Sequence, residues 1–231
     1  QPSRRLMPSA PSPMISMSTA FDLRGRRALV TGSSQGIGLA LATALAQAGA
    51  QVVLNGRDPA KLEAAVATFA AQGHAVSGCA FDVLDEAGVD AAIAGLTREH
   101  GDLDILVNNA GIQLRRSLEL IETHEWRRVL ELNLTSAFIV SKAVVPGMIR
   151  RRRGKIINTC SLMSDFGRPT TGPYTASKGG LKMLTKAMCA DWARHNIQAN
   201  GIGPGYFRTE MTMPLVQDAD FTRWVEARTP A

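Results

Sequence analysis

Residues 28–38 read Ala-Leu-Val-Thr-Gly-Ser-Ser-Gln-Gly-Ile-Gly. The short apolar run at the start predicts a β-strand, and the Ala- and Leu-rich segment that follows predicts a helix ending near Gln47. Glycines 32, 36 and 38 lie between them. Glycines at such a junction let the backbone approach a pyrophosphate at the helix N-terminus, where free N–H groups favour anions. An ordinary turn is the alternative, but the strand–turn–helix context favours phosphate binding.

The rest of the chain repeats this alternation of strand and helix. The predicted strands are 28–30, 52–54, 75–81, 105–107, 155–158 and 197–202. The predicted helices are the one ending at 47, then 58–71, 85–99, about 123–152, and a segment containing Tyr174 and Lys178. Strands separated by helices predict parallel βαβ units and a doubly wound α/β sheet of the Rossmann type. We predict one domain over residues 17–231, preceded at residues 1–16 by a disordered extension rich in Ser, Pro and Met.

Composition bounds the function classes. The chain has 231 residues, 45% of them hydrophobic and 20% charged, as in a soluble globular domain. The net charge of +6 suggests nucleic acid or an anionic surface, but four of the positive charges form one run, Arg150–Arg153. A basic run at a helix C-terminus is typically a solvated end that complements the helix dipole. No nucleic-acid-binding motif accompanies it, so nucleic acid is not an expected partner.

Cysteine usage and hydropathy indicate a compartment. The three cysteines, Cys79, Cys160 and Cys189, are odd in number and lack C-x-x-C spacing, which argues against a disulfide framework or a zinc site. Cys160 adjoins a serine of interest, but we interpret it as a buried structural thiol. No apolar run looks long enough to span a membrane. We therefore expect a cytoplasmic protein with neither membrane nor metal.

The end of the second strand selects between the two nicotinamide dinucleotides. An acidic residue there would accept the adenosine ribose 2′-OH, whereas an arginine suits a 2′-phosphate. This chain has Asn55-Gly56-Arg57, and the next carboxylate, Asp58, precedes Pro59 in the pattern of a helix N-cap. The sequence therefore favours NADP over NAD. A second basic residue at position 35 would strengthen this preference, but the chain has Gln35 there.

A second pattern carries candidate chemistry. Tyr174 and Lys178 are four residues apart, so on a helix the phenol and the ammonium lie on one face. A free Tyr has a pKa of about 10, and a neighbouring cation lowers that pKa. The Ser161 hydroxyl could share the hydrogen bond to a substrate oxygen. Tyr-x-x-x-Lys alone is common by chance, so its meaning depends on the other motifs.

Taken together, the motifs resemble those of the short-chain dehydrogenase/reductase family over residues 22–229. Thr31-Gly32-x-x-x-Gly36-x-Gly38 resembles its cofactor motif, and Asn108-Asn109-Ala110-Gly111 resembles its fourth-strand motif. The family's catalytic tetrad falls on Asn133, Ser161, Tyr174 and Lys178, and its nicotinamide-side loop on Gly203-Pro204-Gly205 with Thr209. Five motifs in the right order make the resemblance specific.

The resemblance implies a role for each residue. Tyr174 would be the general acid in reduction and the base in oxidation, and Lys178 would hold the nicotinamide ribose and lower the pKa of Tyr174. Ser161 would hydrogen-bond the reacting oxygen, and Asn133 would position a water in a proton relay. The implied cofactor-binding residues are Gly32, Ser34, Gln35, Gly36, Ile37, Gly38, Arg57, Asp82, Val83, Asn109, Ala110, Gly111, Tyr174, Lys178, Pro204, Gly205 and Thr209.

Within the family, segments 108–116, 157–169, 174–186 and 203–211 resemble a branch that oxidises sugar acids. The resemblance implies an oxidoreductase that interconverts D-gluconate and 5-keto-D-gluconate with NADP. The implied substrate-binding residues are Ser161, Tyr174, Arg115 and Arg168. A guanidinium suits a carboxylate, although Arg115, the adjacent Arg116 and Arg168 could each be solvated loop charges.

Two alternatives stay open. One is another short-chain reductase, acting on a 3-ketoacyl thioester, a polyol or a different secondary alcohol. The other is a catalytically silent cofactor-binding protein. Relatives continue past residues 229–230 into a further helix and a seventh strand that packs in a subunit interface, so the homotetramer or homodimer expected of the family is in doubt here. The loop at residues 204–220 is a candidate lid.

Overall fold

The structure, a computed structural model, describes residues 21–207, 209 and 212–228. Its strands are β1 (Arg27–Val30), β2 (Gln51–Gly56), β3 (Val76–Ala80), β4 (Ile105–Asn108), β5 (Gly154–Thr159) and β6 (Ile197–Ile202). Its α-helices are α1 (Gly36–Gln47), α2 (Pro59–Ala71), α3 (Glu86–His100), α4 (Thr123–Leu130), α5 (Ser136–Arg151), α6 (Gly172–Trp192), α7 (Met213–Val216) and α8 (Ala219–Glu226). The predicted disordered extension, residues 1–16, lies outside the described residues.

The strands form one parallel sheet in the order β3-β2-β1-β4-β5-β6. The chain therefore crosses over between β3 and β4, which places β1 and β4 side by side with Val30 opposite Val107. Asn108 in turn lies opposite Asn158 of β5. This register brings the carboxyl ends of the three central strands to one edge of the sheet, where doubly wound folds bind their ligands. The predicted fold class is confirmed.

The core lies on both faces of the sheet. Successive residues of a strand point to opposite faces, so Val30 packs with Leu62 and Phe69 of α2, whereas Leu29 packs on the other face with α3 and α5. Helix α6 completes that second face, with Met188 buried against it. Apolar side chains on both sides explain why the strands read as short continuous apolar runs.

The prediction that no apolar run could span a membrane is wrong by length and composition. Residues Thr123–Arg151 form one continuous helical segment of 29 residues that is apolar enough to do so. Val140, Val144 and Met148 of this segment are nevertheless buried in the protein core against the sheet. The segment is the central core helix of the fold, and its apolar character reflects that packing.

The arginine run at the end of α5 is likewise more than a solvated helix end. Arg151 and Arg153 both donate to Oδ1 of Asp104, at 2.9 and 2.8 Å. The backbone N–H of Arg27 donates to the other oxygen of the same carboxylate at 3.0 Å. Asp104 is only 6% exposed. This network ties β1, β4 and the end of α5 together at the sheet edge opposite the ligand-binding edge.

Candidate active site

The glycine turn after β1 is held in a conformation that requires glycine. Gly32 and Gly36 both have φ of +60°, a left-handed value that L side chains rarely adopt. A Cβ at Gly32 would lie 2.9 Å from Cα of Ala110, and one at Gly38 would lie 2.5 Å from the carbonyl oxygen of Gly32. Gln35 precedes α1 without a side-chain cap. The first N–H groups of α1 therefore remain available to an anion.

Two asparagines brace this turn from neighbouring strands. Asn55, at the end of β2, is buried and accepts from the Gly32 N–H at 3.3 Å, while its amide donates to the backbone carbonyls of Cys79 and Phe81. Asn109, after β4, donates to the carbonyl oxygens of Thr31 and Gly32, both at 3.1 Å. The contacts of Asn109 give this residue of the fourth-strand motif a structural role, because they hold the glycine turn in place.

Polar and basic side chains gather at the end of β2. Arg57 reaches Asp82 at 3.6 Å but keeps a side chain that is 65% exposed. Asp58 caps α2, accepting from the N–H groups of Ala60 and Lys61 as the sequence predicted. Lys61 lines the same cavity as Arg57, a position that sequence reasoning missed. Its signal was its place in the first turn of the helix that follows the end of β2, two residues after Pro59.

Asn133 lies where α4 and α5 meet in a π-helical turn, Glu131–Thr135. Its buried amide donates to the Ile112 carbonyl at 2.9 Å and to the Ser177 hydroxyl at 3.0 Å, and its oxygen accepts from the Ile112 N–H at 2.7 Å. Both amide hydrogens are thereby engaged. Asn133 is absent from the cavity wall, and it braces the loop after β4 against α6. The water-positioning role implied by the resemblance stays a prediction.

Ser161, Tyr174 and Lys178 meet at the ends of β5 and α6. Lys178 is only 4% exposed and donates to the Thr159 carbonyl at 2.6 Å, with its ammonium 5.7 Å from the centroid of the Tyr174 ring. Burial lowers the pKa of Lys178 to about 8. The Ser161 hydroxyl accepts from the Met163 N–H at 3.2 Å and also interacts with the phenol.

The sequence predicts a lowered pKa for Tyr174, whereas the structure indicates a raised one. Burial raises the pKa of Tyr174 above its ordinary value, against smaller lowering effects of the Ser161 hydroxyl and the Arg115 charge. The Lys178 ammonium donates to the Thr159 carbonyl and is itself desolvated. Burial therefore favours the protonated phenol, the state that a general acid requires.

The three candidate arginines separate in the structure. Arg115 and Arg168 line the cavity beside Tyr174. Partial burial lowers the pKa of Arg115, and the positive charge of Arg168 lowers it further. Arg116 instead forms an ion pair with Glu125 at 2.6 Å and is absent from the cavity wall. Adjacent residues thus have opposite roles, because the backbone turns one side chain inward and the other toward α4.

One cavity of about 450 Å³ connects these groups, from the glycine turn to the loop after β6. Of the predicted site residues, all line this cavity except Asp82 and Asn133. Sequence reasoning missed Ile112, Gln113, Leu162, Met163, Thr171, Tyr206 and Phe207, which also line it. Gln113 and Tyr206 each stand in or beside a quoted motif, so their proximity to it was the available signal.

The cavity fits a dinucleotide on three counts. The glycine cradle leaves no room for a side chain, the start of α1 is uncapped, and the hydroxyl of Thr159, buried in the wall, has no hydrogen-bond partner among the described residues. Within the part of the chain that the structure describes, no group of three or more His, Cys, Asp or Glu side chains could hold a metal. A phenol, a hydroxyl and an ammonium beside such a cradle define a dinucleotide-dependent oxidoreductase.

Comparison with known proteins agrees with this class. The profile of the short chain dehydrogenase family matches residues 26–220, and the chain belongs to that family. It is therefore an oxidoreductase acting on a CH–OH group, as predicted from the motifs.

Individual relatives are similar over most of the chain. Gluconate 5-dehydrogenase of Gluconobacter oxydans is 51% identical over 211 residues, which are 91% of this chain and 82% of that protein. The 5-keto-D-gluconate 5-reductase of Escherichia coli K12 is 47% identical over 215 residues, 93% of this chain and 85% of that protein. The crystal structure of a gluconate 5-dehydrogenase from Burkholderia cenocepacia in complex with NADP and tartrate has a TM-score of 0.89 at 51% identity, covering 91% of this chain and 83% of that one.

Proposed function

We propose that this protein interconverts D-gluconate and 5-keto-D-gluconate with NADP as its cofactor. The observation that carries the proposal is the composition of one cavity, where a phosphate-binding glycine turn, a buried Tyr174/Lys178 pair and two inward arginines share the same wall. The relatives named above act on the same two sugar acids or bind NADP, which supports the choice of substrate and cofactor.

Different residues of the cavity bind the cofactor and transfer the proton. Bound NADP would be held by the glycine turn and the start of α1, with Arg57 and Lys61 near its 2′-phosphate, and it would accept or supply the hydride at C5. Tyr174 gives its proton to the C5 oxygen in reduction and takes it back in oxidation. Ser161 donates a hydrogen bond to the same oxygen and orients it.

Lys178 and Asn133 assist the reacting groups Tyr174 and Ser161. Lys178, close beneath the phenol, favours the phenolate when oxidation requires a base and has donors left for a ribose hydroxyl. Asn133 keeps the loop at Ile112 in place, and the predicted proton relay through a water there remains part of the proposal. Arg115 and Arg168 attract the carboxylate at the other end of the substrate.

The finer predictions on environment belong to the same proposal. We expect a cytoplasmic protein, since Cys79, Cys160 and Cys189 are all free thiols. We also expect a homotetramer or homodimer, supported by exposed apolar side chains such as Phe138, which is 49% exposed on α5. Light scattering after size-exclusion chromatography measures the assembly.

The test of function is spectrophotometric. Purified protein with D-gluconate and NADP should produce the absorbance of reduced cofactor, faster than with NAD, a polyol or a 3-hydroxyacyl thioester. Tyr174→Phe should lower kcat by about 10²-fold or more, since it removes the proton donor, while NADP binding measured by calorimetry stays within about twofold. Undiminished turnover in that variant would rule out Tyr174 as the acid, and a preference for another alcohol would rule out gluconate.

A further inference from the structure

An aromatic clamp surrounds Arg168 at the mouth of the cavity; the clamp consists of Tyr206, Phe221 and Trp224. Arg168 donates from Nη1 to the Tyr206 hydroxyl at 2.5 Å. Its guanidinium carbon lies 4.7 Å from the Phe221 ring centroid and 5.3 Å from that of Trp224. A guanidinium over aromatic faces at these distances is stabilised in one place while keeping other N–H donors free.

The clamp is itself a packed unit. Phe221 and Trp224 are three residues apart on α8, so they share one face of that helix and stack at 5.9 Å. Tyr206 meets the Phe221 ring edge-on at 5.2 Å. The clamp therefore connects the loop after β6 and helix α8 to Arg168, which belongs to the loop after β5.

The charges of Arg115 and Arg168 indicate what this part of the cavity binds. Arg115 and Arg168 both line the cavity and repel each other, as the effect of Arg168 on Arg115 shows. Neither forms an ion pair with a described residue, in contrast to Arg57 and Arg116, which each have a carboxylate partner. Two cations that line one cavity, with no carboxylate partner among the described residues, form a site whose repulsion a bound carboxylate relieves.

We propose that the aromatic clamp holds Arg168 as the second half of a carboxylate-binding pair with Arg115, and so selects open-chain hydroxy acids over neutral polyols. Tyr206, Phe221 and Trp224 are positioning residues in this scheme, acting on the substrate through Arg168. The inference rests on the proposed function for the identity of the acid, and deepens it by assigning the selectivity to residues outside the catalytic set.

Steady-state kinetics test the selectivity. The two substrates compared are D-gluconate and D-glucitol, which has a CH₂OH group in place of the carboxylate. Arg168→Gln should lower kcat/KM for gluconate by about 10- to 100-fold, the range for losing a charge-assisted hydrogen bond, and leave glucitol within about twofold. Tyr206→Phe should raise KM for gluconate about 3- to 10-fold with kcat nearly unchanged, and Arg168→Lys should restore only part of the loss.

Arg223→Gln is the matched control, because it removes one positive charge from α8, where Arg223 is 70% exposed and pairs with Asp220. It should leave the acid-to-polyol ratio unchanged. An equal loss for both substrates in Arg168→Gln or in Tyr206→Phe would overturn the proposal. A fall in the acid-to-polyol ratio in Arg223→Gln as large as that in Arg168→Gln would also overturn it.

A binding measurement separates this proposal from the proposed function. Trp224 lies against Arg168, so gluconate binding should change tryptophan fluorescence in the wild type, and Trp224→Phe should abolish the change. Binding of gluconate that weakens at least tenfold in Arg168→Gln supports the clamp even if no turnover with NADP is found, an outcome that would sink only the proposed function. If Arg168→Gln oxidises gluconate and binds it with the same Kd as the wild type, the proposed role of the clamp is wrong and the proposed function is unaffected.

Discussion

At the scale of single residues, the cofactor end of the cavity depends on two basic side chains. Arg57 directly follows β2 and Lys61 lies in the first turn of α2, and both line the cavity. No carboxylate occupies the position at the strand end that would bind a 2′-OH. The nearest one, Asp58, is already engaged by two backbone N–H groups. The preference for NADP should therefore reside in these two cations.

We expect Arg57→Ala to weaken NADP binding by about 10- to 100-fold and Lys61→Ala by about 2- to 10-fold, with NAD binding nearly unchanged. The reason is that only NADP carries the 2′-phosphate. Calorimetric titration of both cofactors into each variant measures the effect, and Lys142→Ala, outside the cavity wall, is the charge control. Parallel losses for NAD and NADP would show that these residues do not discriminate between the cofactors.

Lys178 illustrates how burial sets a pH dependence. Its pKa falls from 10.5 to about 8 in the folded protein, so between these values the unfolded chain binds a proton that the folded chain does not. The burial of this group therefore destabilises the fold by its full amount below about pH 8, and the cost disappears as the pH rises from about 8 to 10.5.

Lys178→Met should accordingly be more stable than the wild type at pH 7, by about 1–3 kcal/mol, since it removes a buried charge. The lost hydrogen bond to Thr159 offsets part of this gain. The difference should shrink as the pH rises toward 10.5. Urea unfolding at several pH values measures it, with Lys186→Met, exposed on the same helix, as control. A difference that stays constant with pH would contradict the assignment.

At the scale of elements, helix starts position much of the site. Asp58 caps α2 through two N–H groups, and this fixes the direction in which the helix leaves the cofactor end of β2. Asp85 occupies the same position before α3, but its side chain makes no capping hydrogen bond. The two aspartates therefore form a natural comparison.

Asp58→Ala should cost about 1 kcal/mol of unfolding free energy, and Asp58→Ser should retain most of it because serine also caps. Asp85→Ala, which removes no capping hydrogen bond, should cost less. Urea denaturation of the three variants gives these values. Equal losses at Asp58 and Asp85 would mean that the local charge, and not the cap, stabilises the helix start.

The π-helical turn shows an element that spacing alone does not predict. The sequence predicts one long helix over residues 123–152, and the structure keeps it continuous but inserts a π turn at Glu131–Thr135. That turn places Asn133 between Ile112 and Ser177. An extra residue in a helix is invisible in the hydrophobic pattern, because its cause is a tertiary contact.

At the scale of the whole molecule, the two edges of the sheet are built differently. The carboxyl ends of the central strands surround an open cavity, whereas the amino ends are closed by the buried Asp104 and its arginine partners. Burial alone would raise the pKa of Asp104, but hydrogen bonds from Arg27 and Arg151 and the charge of Arg153 outweigh it and hold that pKa below its ordinary value.

Because the pKa of Asp104 is lowered by folding, its network stabilises the fold above the unfolded pKa of about 3.9. This stabilisation is lost as the pH falls below that value. Asp104→Asn should cost about 2–4 kcal/mol at pH 7, since it leaves cations without their partner, and less as the pH falls toward about 3. Unfolding curves across this range test it, with Asp165→Asn, whose exposed carboxylate pairs with Lys182, as control. A loss independent of pH would indicate a packing defect instead.

Local spacing alone determined a large part of this protein. The alternation of apolar runs, the glycines after β1 and the four-residue spacing of Tyr174 and Lys178 predicted the parallel doubly wound sheet, the glycine turn and the pairing of the phenol with the ammonium. These features depend on backbone geometry over a few residues, and the period of a strand or helix is written into the chain directly.

Tertiary structure decided what depends on residues far apart in the chain. Arg168 and Tyr206 are 38 residues apart, and no local pattern predicts that one would hold the other. The same holds for the inward direction of Arg115 and the outward direction of Arg116. The raised pKa of Tyr174 is of this kind too, because burial by the packed fold outweighs the neighbouring charges. Side-chain direction and desolvation are properties of the packed protein, and the sequence specifies them only by way of the fold.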